Sequence, residues 1–435
     1  MSGNVGGNEY MDIGALQVGQ FMNWYDPKTK GAHLDKDAID AYIDSYAKQC
    51  KARGLKDTTF SFAQPCDIAN LVKGDYNPDD LSKKDSIGMM SYNVTDQGEV
   101  MQVPLGDKKT EPLMQYMVGR LKQDGIGTTL SFGGGDAAAT ELNFNFGAAG
   151  SPTSPANVAK SLGTWAKSIG FSGIGFDIED ASLAKVNTPQ NLSTFFKGLH
   201  DFTSQNGMKT TFTVMGDTSQ WGIEPWTGSD GKAAPKPTNF SEIFGQGVKF
   251  TDMFDKLNLM MYGGGKYYID AGQKDPASGS TREYDLTRWI DQIAKQSDVS
   301  PGKAASYIDL GFNGAINYDD PSSSDGPLPI DKLPPGATSG TAAGSIYNSV
   351  VKDLRAHYND PSLNLGEPFF WDDNADYNIT KGTPSSSTTS DFFKNVGNFE
   401  GDFFKQVNNP TTTKAAATDS VSKAARQHKK GYKKI

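Results

Sequence analysis

The sequence predicts an α/β protein built as a (β/α)8 TIM barrel, and three observations lead there. Short β-rich runs alternate with stretches of helical apolar spacing from residue 10 to about 378. Eight strand-like runs can be read in that span, the number that a closed ring of βα units requires. The third and sixth close on glycines, Gly133-Gly134-Gly135 and Gly263-Gly264-Gly265, the turn chemistry expected where a strand feeds a loop. An open doubly wound sheet is the alternative, and eight repeats favour closure over it.

The elements follow in order. Val18 to Trp24 reads as the first strand, and Asp35 to Arg53 as a helix with Ile39, Tyr42, Ile43 and Tyr46 on one face. Thr58 to Ala63 is the second strand, closed near Phe62. A long, poorly patterned excursion precedes the helix around Leu113 to Leu121 and the third strand, Thr128 to Gly135. Ser154-Pro155 opens a helix that reaches Ile169, because Ser suits the cap and Pro the first turn. The fourth strand spans Gly170 to Asp180, the next helix Asn191 to Gln205, and the fifth strand Lys209 to Met215. Lys256 to Tyr262 is the sixth strand, Ile308 to Phe312 the seventh and Pro368 to Trp371 the eighth. Helices near Leu286 to Gln296 and Ala342 to His357 separate these last three.

The expected division is a flexible N-terminus over 1–12, a barrel over 13–378, a Ser/Thr-rich linker over 379–390 and a Phe-rich amphipathic, basic segment over 391–435. Phe392, Val396, Phe399, Phe403 and Val407 share one helical face. That face either docks on a protein or anionic membrane partner or packs back on the barrel. Deleting 383–435 is expected to leave turnover of a soluble substrate unchanged while altering location or partner binding.

Composition narrows the function classes. No run approaches the ~18 apolar residues that span a bilayer. The start, Met1-Ser2-Gly3-Asn4-Val5, has neither the basic region nor the apolar core of a cleavable signal peptide. A cytoplasmic protein, or one exported by a signal-independent route, is therefore expected. Cys50 and Cys66 are the only cysteines, so free thiols are expected rather than a disulfide framework. His33, His200, His357 and His428 lack ligand spacing, and no metal or cofactor is anticipated. The last 25 residues carry seven basic groups against Asp419 alone, a balance of +6 that leaves −15 on the rest of a chain of net charge −9. A body that acidic is a poor partner for nucleic acid.

Chemistry concentrates in the fourth strand, Gly173-Ile174-Gly175-Phe176-Asp177-Ile178-Glu179, where an apolar run alternates with two acids two residues apart. In a strand that spacing puts Asp177 and Glu179 on one face. No Lys or Arg lies between Lys167 and Lys185 to form a local ion pair, so the choice is between a catalytic carboxylate pair and a hydrogen-bonded structural pair or an exposed strand end. A barrel site forms at the C-terminal strand ends, where Ser131-Phe132-Gly133-Gly134, Met260-Met261-Tyr262 and Trp371 also fall.

In these motifs the chain resembles glycoside hydrolase family 18, the chitinases and related endo-N-acetylglucosaminidases, over about residues 13 to 378. The family pattern S-x-G-G is met by Ser131, Gly133 and Gly134, and Phe254 to Tyr262 is similar to the family's sixth strand. Phe369-Phe370-Trp371 is similar to its eighth. Of the fourth-strand acids in D-x-x-D-x-D-x-E, the last two are kept as Asp177 and Glu179; Ser172 and Gly175 stand at the first two, and Gly263 replaces the acid after Tyr262.

The resemblance implies hydrolysis of β-1,4-linked N-acetylglucosamine by substrate-assisted retaining catalysis. Glu179 would be general acid and then base, Asp177 would hold the acetamido N–H, and Tyr262 would hydrogen-bond the acetamido oxygen. Trp371 would stack under the sugar, with Met260, Trp24, Phe62, Ser131, Gly133 and Gly134 completing substrate binding. A catalytically weak or inactive glycan-binding relative is the alternative. The partner expected is thus an N-acetylglucosamine-containing glycan.

Overall fold

The computed structural model describes residues 7–12, 25–26, 31–32, 36–63, 92–94, 100–102, 111–134, 146–151, 153–178, 187–215, 240–260, 286–313, 339–371 and 389–408. Eight parallel strands close a barrel: β1 (Gly7–Asp12), β2 (Leu55–Ala63), β3 (Gly127–Gly133), β4 (Gly173–Asp177), β5 (Lys209–Met215), β6 (Lys256–Met260), β7 (Ile308–Asn313) and β8 (Phe369–Trp371). Consecutive strands pair, and β8 pairs with β1 through Trp371 and Tyr10 to complete the ring. Around it lie α1 (Lys36–Arg53), α2 (Leu113–Gln123), α3 (Pro155–Ile169), α4 (Pro189–Gln205), α5 (Phe240–Phe244), α6 (Leu286–Ser297), α7 (Ser339–His357) and α8 (Thr389–Asn408). A two-stranded antiparallel pair, Tyr25–Asp26 with Gly31–Ala32, follows β1. The excursion after β2 includes a three-stranded sheet of Tyr92–Val94, Val100–Gln102 and Glu111–Pro112.

Local chemistry explains the helix ends. Thr188 caps α4 by accepting the Asn191 N–H at 3.2 Å, and Pro189 fills its first turn. Gly170 ends α3 at φ 104°, the left-handed conformation that glycine enters without strain.

Strand alternation sorts the side chains with unusual clarity. Outward residues are mostly apolar: Phe176 meets Phe196 of α4 at a ring separation of 5.0 Å, Phe212 meets Phe244 of α5 at 5.9 Å, and Phe370 meets Phe403 of α8 at 5.2 Å. Inward residues are mostly small or polar. Register sets Gly133, Asp177, Thr213, Asn258 and Asp309 in one row across five strands, and Ser131, Gly175, Thr211 and Lys256 in the row below. Barrels usually fill these positions with branched aliphatics. Here cohesion comes from the shell between strands and helices.

Two expectations are corrected. The first strand is Gly7–Asp12, not 18–24, so the barrel begins before residue 13 and 7–12 is not a flexible terminus. Its sequence is poor in β-favouring residues, and pairing on both edges overrides that propensity. Residues 18–24 lie outside the described residues.

The second correction concerns the C-terminal segment. Thr389–Asn408 is the eighth helix of the barrel rather than part of a linker and tail. Phe399, Phe403 and Phe404 are buried against Phe370, and Phe403 also meets Phe312 at 5.0 Å. Gly340 and Gly344 of α7 admit the α8 backbone: a Cβ at 340 would stand 2.0 Å from the Phe399 carbonyl oxygen, and one at 344 would stand 2.8 Å from that of Phe403. Arg53 of α1 faces Glu400 at 3.2 Å, both side chains buried. The expectation of a protein or anionic membrane partner for 391–435 therefore narrows to the basic residues after Asn408, which lie outside the described residues. Among the described residues, no helix is long and apolar enough to cross a membrane.

Charges gather at the N-terminal ends of the strands. Lys256 Nζ lies 2.9 Å from Asp309 Oδ1 and donates to the Ser306 carbonyl at 3.2 Å. Lys209 lies 3.9 Å from Asp57, and Lys56 3.2 Å from Glu367. Burial pushes the Asp309 carboxyl up to about 6; Lys256 and Lys209 oppose the rise and Glu367 adds to it. The native state thus keeps a proton that the unfolded chain loses between about pH 4 and 6, so this group lowers stability as pH rises through that window. His200, paired with Asp255 at 3.3 Å, has its pKa raised chiefly by that hydrogen bond; its stabilisation is full below the ordinary histidine value and fades as pH climbs through the raised one.

Three outcomes are expected from urea unfolding. A chain ending at residue 408 keeps its cooperative transition, whereas one ending at 388 loses it. Glu400→Ala, which strips the carboxylate from buried Arg53, costs about 3–5 kcal/mol. Asp309→Asn gains on wild type by up to roughly 3 kcal/mol between pH 4 and pH 7.

Candidate active site

The C-terminal end of β4 presents Asp177 on the inner face, 3% exposed. Neighbouring strands hold its backbone on both sides. The Gly134 N–H donates to the Asp177 carbonyl at 3.1 Å, and the Ile178 N–H donates to the Thr213 carbonyl at 2.9 Å. Gly133 is required for the first contact: its φ is 113°, and a Cβ there would stand 2.0 Å from the Asp177 carbonyl oxygen. The described contacts of the glycine turn are therefore with the backbone under the carboxylate.

One row deeper, Ser131 is fully buried, and its hydroxyl has no hydrogen-bond partner among the described residues. A Cβ at Gly175 would meet Thr211 Oγ1 at 2.8 Å and Ser131 Oγ at 3.4 Å. Hydroxyls from both neighbouring strands thus fill the space in which a longer side chain at 175 would sit. Ser172, at the start of the same segment, bridges to β3: its hydroxyl donates to the Thr128 carbonyl at 2.8 Å and accepts the Thr128 N–H at 2.7 Å.

Met260 ends β6 on the inner face, buried beside Met215 and Gly311 in register. Trp371 ends β8 partly exposed, between Tyr10 and Asn313. The fold therefore brings Asp177, Ser131, Gly133, Gly134, Met260 and Trp371 to the C-terminal half of one barrel. Phe62 lies in β2 where the pairing shifts register between Phe60 and Ala63. Glu179, Tyr262 and Trp24 lie outside the described residues, and relocation of the first strand removes the strand-end argument for Trp24.

Two inner-face residues escaped the sequence reading. Thr213 and Asn258 are 1% and 3% exposed, and Asn258 Nδ2 donates to Thr213 Oγ1 at 3.1 Å. Their signal was available as polar interruptions of the apolar runs Phe212-Thr213-Val214 and Leu257-Asn258-Leu259. Among the described residues, no group of three or more His, Cys, Asp or Glu could hold a metal ion.

No protein-family model matches the sequence, and no curated protein does. Solved structures similar to it include a GH18 chitinase from Pseudoalteromonas aurantia, at 13% identity over 90% of this chain and 99% of that one, with a TM-score of 0.42. Catalytic domain 2 of the Group II chitinase from Ostrinia furnacalis is 11% identical over 92% and 97%, with a TM-score of 0.43. A sugar phosphate isomerase/epimerase from Parabacteroides distasonis is 12% identical over 94% and 96%, with a TM-score of 0.38. The barrel itself is established by the strand pairing.

Gly175→Ala is expected to cost about 1–3 kcal/mol by overpacking. Thr211→Ala should offset part of that loss, giving a coupling above about 0.5 kcal/mol in a double-mutant cycle read by urea unfolding.

Proposed function

We propose that the protein hydrolyses glycans at β-1,4-linked N-acetylglucosamine, by substrate-assisted retaining catalysis. The observation that carries this reading is Asp177, a buried carboxylate on the inner face at the C-terminal end of β4, followed two residues later by Glu179. A carboxylate is retained there at a desolvation cost, and barrel chemistry collects at that end of the strands.

In this mechanism Glu179 protonates the glycosidic oxygen as the bond to C1 breaks. The substrate's acetamido carbonyl oxygen attacks C1 and forms an oxazolinium ion, so no protein nucleophile is needed. Asp177 accepts the acetamido N–H and stabilises the positive ring, while Tyr262 donates to the acetamido oxygen. Glu179, now ionised, takes a proton from water as that water attacks C1, restoring the acetamido group with retained configuration. Trp371 supplies an aromatic face for the sugar.

A second reading, glycan binding without efficient turnover, is favoured by one feature. The space beside Gly175 is taken by Thr211 and Ser131, and no acid stands there to share a proton with Asp177.

Time-resolved mass spectrometry of chitin oligosaccharides and of a high-mannose glycopeptide separates the two readings. Cleavage by wild type, reduced about 10²–10⁴-fold in Glu179→Gln, is the expected result, and the fragments identify the substrate. Equal activity of the two proteins would overturn the glycosidase reading, and intact sugars that nevertheless bind would select the second.

A further inference from the structure

We propose that the barrel axis carries a buried water site one row below Asp177, where Ser131 of β3 and Thr211 of β5 hold a single water over the Gly175 Cα of β4. The site belongs to the barrel wall and does not depend on the glycosidase reading.

One unmet group motivates it. Ser131 is fully buried, and its hydroxyl has no hydrogen-bond partner among the described residues. A hydroxyl has one proton to give and two lone pairs to fill, so leaving it dry and unpaired is costly. Buried groups that lack a protein partner are met by ordered water where the surroundings offer other polar atoms, room and an approach.

Register supplies the polar atoms. Ser131, Gly175 and Thr211 are consecutive in one inward row across β3, β4 and β5. A Cβ built on Gly175 would stand 2.8 Å from Thr211 Oγ1 and 3.4 Å from Ser131 Oγ, so both oxygens border the same point above the glycine, one from each side. No direct hydrogen bond joins them, since the Ser131 hydroxyl makes none among the described residues. Two hydrogen bonds of about 2.8 Å meeting at one water bridge oxygens about 4.5–5 Å apart. The two Cβ distances laid end to end admit that span.

Gly175 supplies the room. The gap to Thr211 is too short for carbon, whereas a hydrogen-bonding oxygen set slightly farther from the strand meets both hydroxyls at its normal distance. The three atoms nearest the Cβ point all belong to Thr211 or Ser131, so no side chain from the opposite wall intrudes on it more closely than they do. Lys256 is next in the row, but its ammonium is engaged elsewhere, 2.9 Å from Asp309 Oδ1 and 3.2 Å from the Ser306 carbonyl. Thr211 is only partly buried, which gives solvent an approach from the β5 side. A water here sets a small, reorientable polar group in the wall beneath Asp177, and any side chain at 175 displaces it.

A crystal structure of the full chain, at a resolution that shows ordered solvent, is the first test. Solvent density within about 2.6–3.2 Å of both Ser131 Oγ and Thr211 Oγ1 is the expected result. A Ser131 hydroxyl bonded to a protein group with no solvent on it, or to a water that does not reach Thr211, would overturn the proposal. Oxygen-17 relaxation dispersion then counts, in solution, the waters that tumble with the protein. Gly175→Ala should lose about one of them relative to wild type, and the double variant Ser131→Ala, Thr211→Val should lose the same one. Wild-type amplitudes in both folded variants would also defeat the assignment. Because the crystal experiment uses the unaltered chain, it decides even where a variant fails to fold, and no glycan enters either measurement.

Discussion

The inner wall of this barrel is polar, and the rest of the structure follows from that constraint. Thr59, Ser61, Thr129, Ser131, Thr213 and Asn258 are buried along it, where branched aliphatics would ordinarily interlock. Such a wall adds little hydrophobic stabilisation, so the outer faces of the strands must carry the load. They do so with aromatic rings: Phe196 alone meets Phe176, Phe195, Phe212, Phe244 and Phe254. The arrangement frees the axis for hydrogen bonding, and Asp177 stands buried in a row whose neighbouring positions are Gly133 and Thr213 rather than aliphatics.

The same division of labour explains α8. The outward face of β8 is Phe370, which without α8 would meet water beside Phe312. Three phenylalanines of α8 cover it, and the glycine pair on α7 lets the helix approach closely enough to do so. The Arg53–Glu400 pair contributes less to net stability than to placement, since buried charges tolerate few alternative registers.

Seven of the strands were legible because their outward residues are strongly apolar and their inward ones are not. β1 was not, because Gly7-Asn8-Glu9-Tyr10-Met11-Asp12 owes its extended form to partners on both sides. The amphipathic pattern of α8 was visible, but a pattern shows that a face is covered without naming what covers it. Asp177 stood out as an acid interrupting an apolar run. Thr213 and Asn258 did not, since a lone Thr or Asn in a strand acquires meaning only when register sets it beside a carboxylate. Gly133 read as a turn residue, whereas its close approach to the Asp177 carbonyl depends on two strands 44 positions apart in sequence.

The contact of Gly7 with Phe404, whose ring end would lie 2.9 Å from a Cβ at that glycine, joins segments separated by nearly 400 positions. Closure of the ring is thus among the least local events in the chain, and non-local pairing is slow because the intervening loop must be ordered first. During synthesis β1 has one edge without its partner until β8 and α8 leave the ribosome. Throughout that interval the Phe370 face and the β1 edge are open to other chains, which makes the seam between β1 and β8 the place where chaperone binding or misassembly would begin.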